Sequence, residues 1–513
     1  MRRIIFLVTV VTLLSYSCKK KNANTVSPEI TSEQQENYYE AYYRLQAEIP
    51  QHDFEFADKG YPFKKASIND IQAFYEMVGN HPVWLNEDGI NIHTWTFLDE
   101  MKTADKHGLF PEEYFYNMPV IPNYATNKTV FNDLEPEQLV QLEYGLTWAY
   151  ITLQKHLSSG RINPDTTVSL WRHKLKDTLV SSAIGKAFNS DDISGSLEHF
   201  APQNKNYKNL TEALSQYKEY KKNGGWPTIP EITAETDSVH LWMKIAERLS
   251  ITGQYGEGKE DIDTNIRIEK VKSALRKFQD AMGLKPDGVP GKETIEQLNK
   301  TAEYRVKQIV LNLERLRWEP AKRGEDYILI NVPEYKMHAY KNGKSQFEMK
   351  IIVGKYMNKT PIFSDSIEYV VFNPTWTVPM SIMRNEMLPR LKRGDIFLPR
   401  EHFSLYDGFG ADAQKIDPYS VDWEDVEPST FSYRIVQEPG PWNALGSVKF
   451  IFPNDMDIYL HDTPSGYLFD RTERSFSHGC MRIEKPHFFA NYLLGDKLSE
   501  EQIEEKFRSN ETQ

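Results

Sequence analysis

Two short stretches toward the end of the chain hold the side chains best suited to covalent chemistry. They are Ile458-Tyr459-Leu460-His461-Asp462-Thr463-Pro464 and Ser477-His478-Gly479-Cys480-Met481-Arg482. A cysteine attacks acyl carbon as its thiolate, so it needs a neighbour that takes or offsets the thiol proton. A histidine can do this because its ordinary pKa lies near physiological pH. His461 is expected at the end of a strand, and the loop over 463–477 can return the chain so that Cys480 lies beside it. Gly479 has no Cβ, which lets backbone approach a ligand closely. The amides of His478, Gly479 and Cys480 are therefore candidate donors to one oxygen. Donors so placed stabilise the oxyanion of a tetrahedral intermediate, typically the largest electrostatic contribution in acyl transfer. Arg482 offers a planar fork for a substrate carboxylate, with an ion pair to Glu484 or Asp470 as the alternative. These residues alone indicate a cysteine acyl-transfer site on a β-rich domain.

The elements around them fit such a domain. Segment 327–332 alternates as a strand, and segments 337–340 and 347–353 flank Asn342-Gly343, a strong hairpin signal. Further strands are expected at 368–372, 433–436, 448–452 and 457–461. Residues 376–432 form a long segment with many aromatics and its own expected helix near 381–392. An insert of that length in a compact β unit is usually functional, often a lid.

Upstream the pattern is helical. Asp70 is read as the cap of a helix whose Ile71, Phe74, Tyr75 and Val78 form one apolar stripe. A longer helix follows Pro136, with Leu139, Leu142, Leu146, Leu153 and Leu157 on related turns and Gly160 closing it. Trp84, Trp148 and Trp171 are assigned to the core of this region, which shows no catalytic constellation. In the next unit Ile268, Val271, Leu275 and Phe278 mark a helix, Gly283 sits where its αL residue belongs, and Asp287-Gly288 signals a turn.

Composition narrows the field further. The 513 residues suggest about three folded units. Lys and Arg total 61 against 73 Asp and Glu, a net charge of −12, so the basic footprint of a nucleic-acid binder is missing. An anionic polymer must then be held by shape and local donors. The two cysteines, Cys18 and Cys480, exclude a disulfide-framed scaffold and any multi-cysteine zinc or iron–sulfur site. Arg2 and Arg3 precede an apolar run, Ile4 to Leu14, then Ser15-Tyr16-Ser17-Cys18, the pattern of a secretory signal. The run is shorter than the about 20 apolar residues needed to span a bilayer. Cys480 is then a lone thiol in a compartment that favours oxidation.

Several of these strings resemble known families. The Ser477–Arg482 string resembles the signature of L,D-transpeptidases, with His461 at a family-like distance. Pro439-Gly440-Pro441-Trp442-Asn443-Ala444-Leu445-Gly446 resembles that family's upstream glycine-proline segment. Leu275-Arg276-Lys277-Phe278-Gln279, with Gly283-Leu284, Asp287-Gly288, Gly291, Thr294 and Leu298-Asn299, resembles the small helical peptidoglycan-binding domain. The order of units is similar to the large three-part enzymes of Gram-negative bacteria, strengthened by Asn312-Leu313-Glu314-Arg315-Leu316-Arg317 and His461-Asp462-Thr463-Pro464-Ser465. Leu14 to Cys18 resembles a bacterial lipoprotein box, which implies lipidation of Cys18 and a membrane anchor, the outer membrane favoured.

The resemblance implies a multidomain α+β protein. Its parts are a signal peptide (1–17), a tether (18–33), a helical scaffold (34–238), a peptidoglycan-binding domain (239–300) and a β-rich catalytic domain (301–505) whose insert at 376–432 acts as a lid. It makes Cys480 the nucleophile and His461 its base, with either a backbone carbonyl or the Asp462 side chain orienting the ring. His478 and Gly479 would shape the oxyanion region, and Arg482, Tyr459, Trp376 and Asn443 would meet substrate. The implied reaction joins a donor tetrapeptide stem to an acceptor amine as a 3→3 cross-link, without metal or organic cofactor, in the cell envelope facing the periplasm. Carbapenem-type inhibitors are expected from the same resemblance. The alternatives are an L,D-carboxypeptidase using the same cysteine, a non-catalytic wall-anchoring lipoprotein, and a zinc peptidase using His461, His478 and Cys480, which the two-residue spacing of the latter pair disfavours.

Overall fold

The computed structural model describes residues 30–51, 65–115, 131–164, 195–233, 238–256, 264–319 and 324–513, with positions 171, 185, 188, 189 and 193. The expected signal, Cys18 and most of the tether lie outside them. The chain divides into two compact units. The first comprises 1–102, 110–153 and 181–196, and the second 103–109, 154–180 and 197–513.

The first unit is helical. Its opening helix, Ser32–Glu48, starts from a reciprocal cap in which Thr31 and Gln34 satisfy each other's backbone amides. The helix Lys65–Val78 begins before Asp70, which therefore lies inside it rather than at its N-cap. The stripe was read correctly: Ile71, Phe74, Tyr75 and Val78 are all buried. Trp84 sits at the centre, with Phe97 and Phe188 each 5.3 Å away and Tyr150 at 5.7 Å. Glu143, on the helix Pro136–Ser159, is fully buried there. Its two oxygens accept from the amides of Val83, Trp84 and Leu85 and from the Tyr75 hydroxyl. Burial pushes this carboxyl up to about 7 against the pull of those donors. Trp148 is only half-buried, and Trp171 belongs to the second unit, where it packs 5.2 Å from Trp318.

Within the second unit, helices Ser238–Ile251, Thr264–Ala281 and Lys292–Asn299 enclose a core that includes Leu241, Leu249, Val271, Leu275, Phe278 and Leu298. Gly283 and Gly288 both have positive φ, as their turn positions require. The buried Gln279 secures this turn. Its amide donates to Asp287, Val289 and Thr294, and its oxygen accepts from the Gly288 amide.

The first unit also holds a short hairpin, β1 (Leu85–Asn86) and β2 (Gly89–Ile90). In the second unit come β3 (Tyr327–Asn331), β4 (Lys336–Lys341), β5 (Lys344–Gly354) and β6 (Tyr369–Phe372). The insert supplies β7 (Trp376–Thr377), β8 (Phe403–Asp407), β9 (Gln414–Ile416) and β10 (Tyr433–Gln437). The chain then returns through β11 (Val448–Ile451), β12 (Leu460–His461), β13 (Ser475–Ser477) and β14 (Met481–Ile483). The main sheet runs β3-β4-β5-β14-β12-β11-β6, with β13 paired to β5. Asn342 and Gly343 both adopt positive φ in the β4–β5 hairpin. Leu460, Met481, Val448, Phe450 and Ile351 fill the core on one face, packed against Phe489 and Ile503 of the terminal helices Pro486–Leu494 and Glu500–Arg508.

Two expectations shift. Strand 457–461 shrinks to Leu460–His461 because Asp457 turns at positive φ and Asn454 ties both the amide and the carbonyl of Ile458. Strand Tyr433–Gln437 joins the insert, forming a separate sheet of order β7-β10-β8-β9. Leu388, Leu391, Phe397, Leu405, Trp423 and Ile435 give that sheet and its helices a core of their own.

Candidate active site

Side chains alternate across a strand, so the partners of the core-facing residues point to the opposite face. Leu460 pairs with Met481, both core residues, and His461 pairs with Arg482 in the parallel β12–β14 ladder. On the other side His461 pairs with Lys449 of β11. Cys480 leads directly into β14 and Tyr459 into β12, where the Tyr459 carbonyl accepts from the Met481 amide at 3.1 Å. Register therefore brings His461, Cys480, Tyr459, Arg482 and Lys449 to one face.

His461 is only 5 % exposed. Its Nδ1 lies 2.6 Å from the carbonyl oxygen of Asp462. A carbonyl only accepts, so Nδ1 carries the proton and Nε2 keeps a lone pair. This decides between the two orienting groups left open by the sequence. The Asp462 carboxylate is occupied elsewhere, accepting from Ser447 N and Oγ at 2.8 Å each and from the Thr463 amide at 2.6 Å. Burial first, then the cations of Arg482 and Lys449, push the His461 pKa down to about 3.

Cys480 is a free, half-buried thiol that donates to the Asp457 carbonyl at 3.5 Å. Burial pushes its pKa up, while the amide and hydroxyl of Tyr459 and the Arg482 cation favour the thiolate. The Tyr459 ring stands edge-on to His461 at 5.8 Å. At rest the site thus holds a neutral thiol and a neutral imidazole, with donors already aimed at the sulfur.

The loop before Cys480 is clamped from three sides. Gly479 has φ +125°, and its amide donates to Ser477 Oγ at 3.2 Å. Its carbonyl accepts from Thr360 Oγ1 at 2.7 Å, and that hydroxyl accepts from the Gly354 amide at 3.0 Å. Ser477 Oγ donates onward to the Cys480 carbonyl at 2.5 Å. The Gly479 amide is therefore unavailable to an oxyanion, contrary to the expectation. The amides of His478 and Cys480 donate to no protein group among the described residues and are the remaining candidates.

His478 also departs from its expected role. Its Nε2 lies 2.5 Å from Glu386 Oε1, on the π-helical turn Met383–Met387 of the insert. Its imidazole is thus turned to the insert, and the convergence that a zinc set of His461, His478 and Cys480 requires does not occur. Among the described residues no three His, Cys, Asp or Glu side chains are grouped to hold a metal ion.

Arg482 forms neither alternative ion pair. Glu484 is engaged by the Lys350 amide at 3.1 Å and its ammonium at 3.7 Å, and the Nε of Arg482 is buried without a partner. Asn443 does not reach a substrate surface. It is fully buried, donating to the carbonyls of Pro374 and Glu438 and accepting from the Leu445 amide, so it shapes the loop ahead of β11. Trp376 packs into the insert's core, 6.2 Å from Phe403. Sequence reasoning missed Thr360, Glu386 and Lys449. Ser477 was at least within the motif, but the other three lie far from it in sequence.

Comparison with known proteins agrees with this architecture. Residues 325–498 match the L,D-transpeptidase catalytic domain, 242–298 the family described as "Putative peptidoglycan binding domain", and 69–214 the scaffold domain. A stretch of 187 residues is 36 % identical to a Haemophilus influenzae protein named "Putative L,D-transpeptidase", covering 36 % of this chain. The match spans 37 % of that relative's length. The chain is a multidomain protein with a helical N-terminal region, a peptidoglycan-binding domain and a β-rich L,D-transpeptidase catalytic domain.

Proposed function

We propose that this protein is a peptidoglycan L,D-transpeptidase that forms 3→3 cross-links through a thioester on Cys480. The observation that carries the reading is the register of β12 and β14. In support, His461, with its lone pair on Nε2, pairs with Arg482 in the strand that Cys480 leads into.

In the first step the Cys480 sulfur attacks the carbonyl between the third stem residue and the terminal D-alanine. The thiol proton passes to His461 Nε2, and the amides of Cys480 and His478 receive the oxyanion. Collapse breaks the carbon–nitrogen bond, the proton moves from His461 to the departing amine, and D-alanine leaves. An amine of a second stem then attacks the thioester, His461 accepts its proton, and the thiol is restored as the new amide forms. The peptidoglycan-binding domain raises the local concentration of stems by tethering. A secretory signal and lipidation of Cys18 would hold the enzyme in the cell envelope, facing the periplasm, and carbapenems would acylate the same sulfur.

Intact-mass measurement with purified tetrapeptide stems tests the reading. The expected result is an adduct on Cys480 of the stem minus D-alanine, resolved to a cross-linked dimer when acceptor stem is present. Hydrolysis with no dimer in the presence of acceptor would identify a carboxypeptidase. Dimer formation by a Cys480→Ala variant would overturn the assignment.

A further inference from the structure

Lys449 lies on β11, between β12 and the edge strand β6, and is paired in register with His461, which in turn is paired with Arg482. Three basic side chains thus form one row across β11, β12 and β14. The Lys449 ammonium is 5.8 Å from the centre of the Tyr459 ring, which fixes it on the Cys480 face. It is half-buried, and among the described residues no carboxylate forms an ion pair with it. A half-buried cation without a counter-ion is costly, especially where 73 acidic residues are available to pair with it.

The order of strands identifies the substrate group. Across the sheet the sequence is Cys480 beside β14, then His461 on β12, then Lys449 on β11. In the donor stem the order is attacked carbonyl, departing nitrogen, Cα, terminal carboxylate. With the carbonyl at the sulfur and the nitrogen at His461, the chain of the leaving residue continues toward β11. The carboxylate carbon lies about 2.5 Å past that nitrogen. Neighbouring strands are about 4.8 Å apart, which a lysine side chain closes readily. Arg482 falls on the opposite side, facing the acyl portion.

We propose that Lys449 is a specificity-determining residue that binds the free terminal carboxylate of the leaving amino acid, so that the enzyme selects donor stems ending in a free acid. The proposal rests on the transpeptidase reading above and deepens it. The contact also holds the departing nitrogen against His461, so it acts on acylation and not on capture of the acceptor.

The test compares kcat/KM for acylation by a tetrapeptide stem and by the same stem with a terminal carboxamide. The wild-type protein should favour the acid by about 10- to 100-fold, the range of a charge-assisted hydrogen bond. Lys449→Met should lose that preference, the ratio of the two rate constants (acid over amide) falling to about one whatever the common change in rate. Lys449→Arg, which keeps the charge, should retain most of the preference and shows that the strand tolerates substitution. A Lys449→Met protein whose acid-over-amide ratio stays at the wild-type value overturns the proposal. Wild-type protein that is acylated by neither stem has a different signature: it removes the transpeptidase reading and this inference with it.

Discussion

The imidazole of His478 and the carboxylate of Glu386 meet at 2.5 Å across 92 residues of sequence, joining the loop that carries Cys480 to the inserted subdomain. The carboxylate comes from a π-helical turn, a distortion that recurs at functional sites because it re-aims a side chain from a helix. Both partners remain partly solvated, so the pair contributes at most about 1 kcal/mol. Its effect is local. Glu386→Gln should speed hydrogen exchange over 380–392 and raise the rate at which a bulky thiol reagent reaches Cys480, with thermal stability unchanged. Exchange identical to wild type would show that the contact does not restrain the insert.

A side chain at position 479 meets two obstacles. Its backbone has φ +125°, and a Cβ would lie 3.1 Å from Ile458 Cδ1. Strain of this kind costs about 1–3 kcal/mol. Gly479→Ala should therefore shift the Cys480 amide and reduce acylation at least about tenfold, since oxyanion donors act only when well aimed. Thr360→Val, which removes the hydroxyl from the Gly479 carbonyl, should act in the same direction through the other side of the loop. Single-turnover acylation monitored by mass checks both, and wild-type rates in both would disprove the clamp.

The buried histidine predicts a pH dependence of stability. His461 is pushed down to about 3 in the folded protein, against an ordinary value of about 6.5. Between these values the unfolded chain binds a proton that the folded chain refuses, so stability rises with pH across this window. The contribution is complete above about 6.5 and is lost progressively as pH falls toward 3, about 2 kcal/mol of it by pH 5. His107 and His156, both pushed down to about 4 by burial, add in the same direction. Denaturant titrations of wild type and His461→Gln at pH 7 and pH 5 should show a smaller acid loss in the variant; equal losses would contradict the assignment.

In the N-terminal unit, Glu143→Gln tests a different kind of residue. The carboxylate accepts four hydrogen bonds, two on each oxygen, at 2.8–3.1 Å. An amide in its place points an NH2 group at two donors, leaving them unsatisfied in a dry interior at about 1–3 kcal/mol each. The unfolding transition of this unit should move to lower denaturant while acylation of Cys480 by a small stem is retained. An unshifted transition would show that the network is not stabilising.

The chemistry was legible in the sequence because it is local. Ser477–Arg482 sets a glycine of special backbone beside the candidate nucleophile Cys480, and His461 ends a recognisable strand segment. The Asn342-Gly343 hairpin, the Gly283 turn and the helix after Pro136 were equally readable, since each depends on residues close together in the chain. Errors arose where local pattern underdetermines the answer. Asp70 is a good cap residue in a helix that happens to start earlier, and Asn443 is a polar side chain whose complete burial only packing reveals.

The sequence by itself determined which side chains are candidates for covalent chemistry and most of the segments that fold into helices or strands, because periodicity and backbone preference act over a few residues. Only the tertiary structure decided that Lys449, His461 and Arg482 share one row, that the Asp462 backbone orients the imidazole, and that Glu386 reaches His478. Those facts depend on strand register and on pairing between distant segments, which are set by burying Leu460, Met481 and their neighbours in a common core.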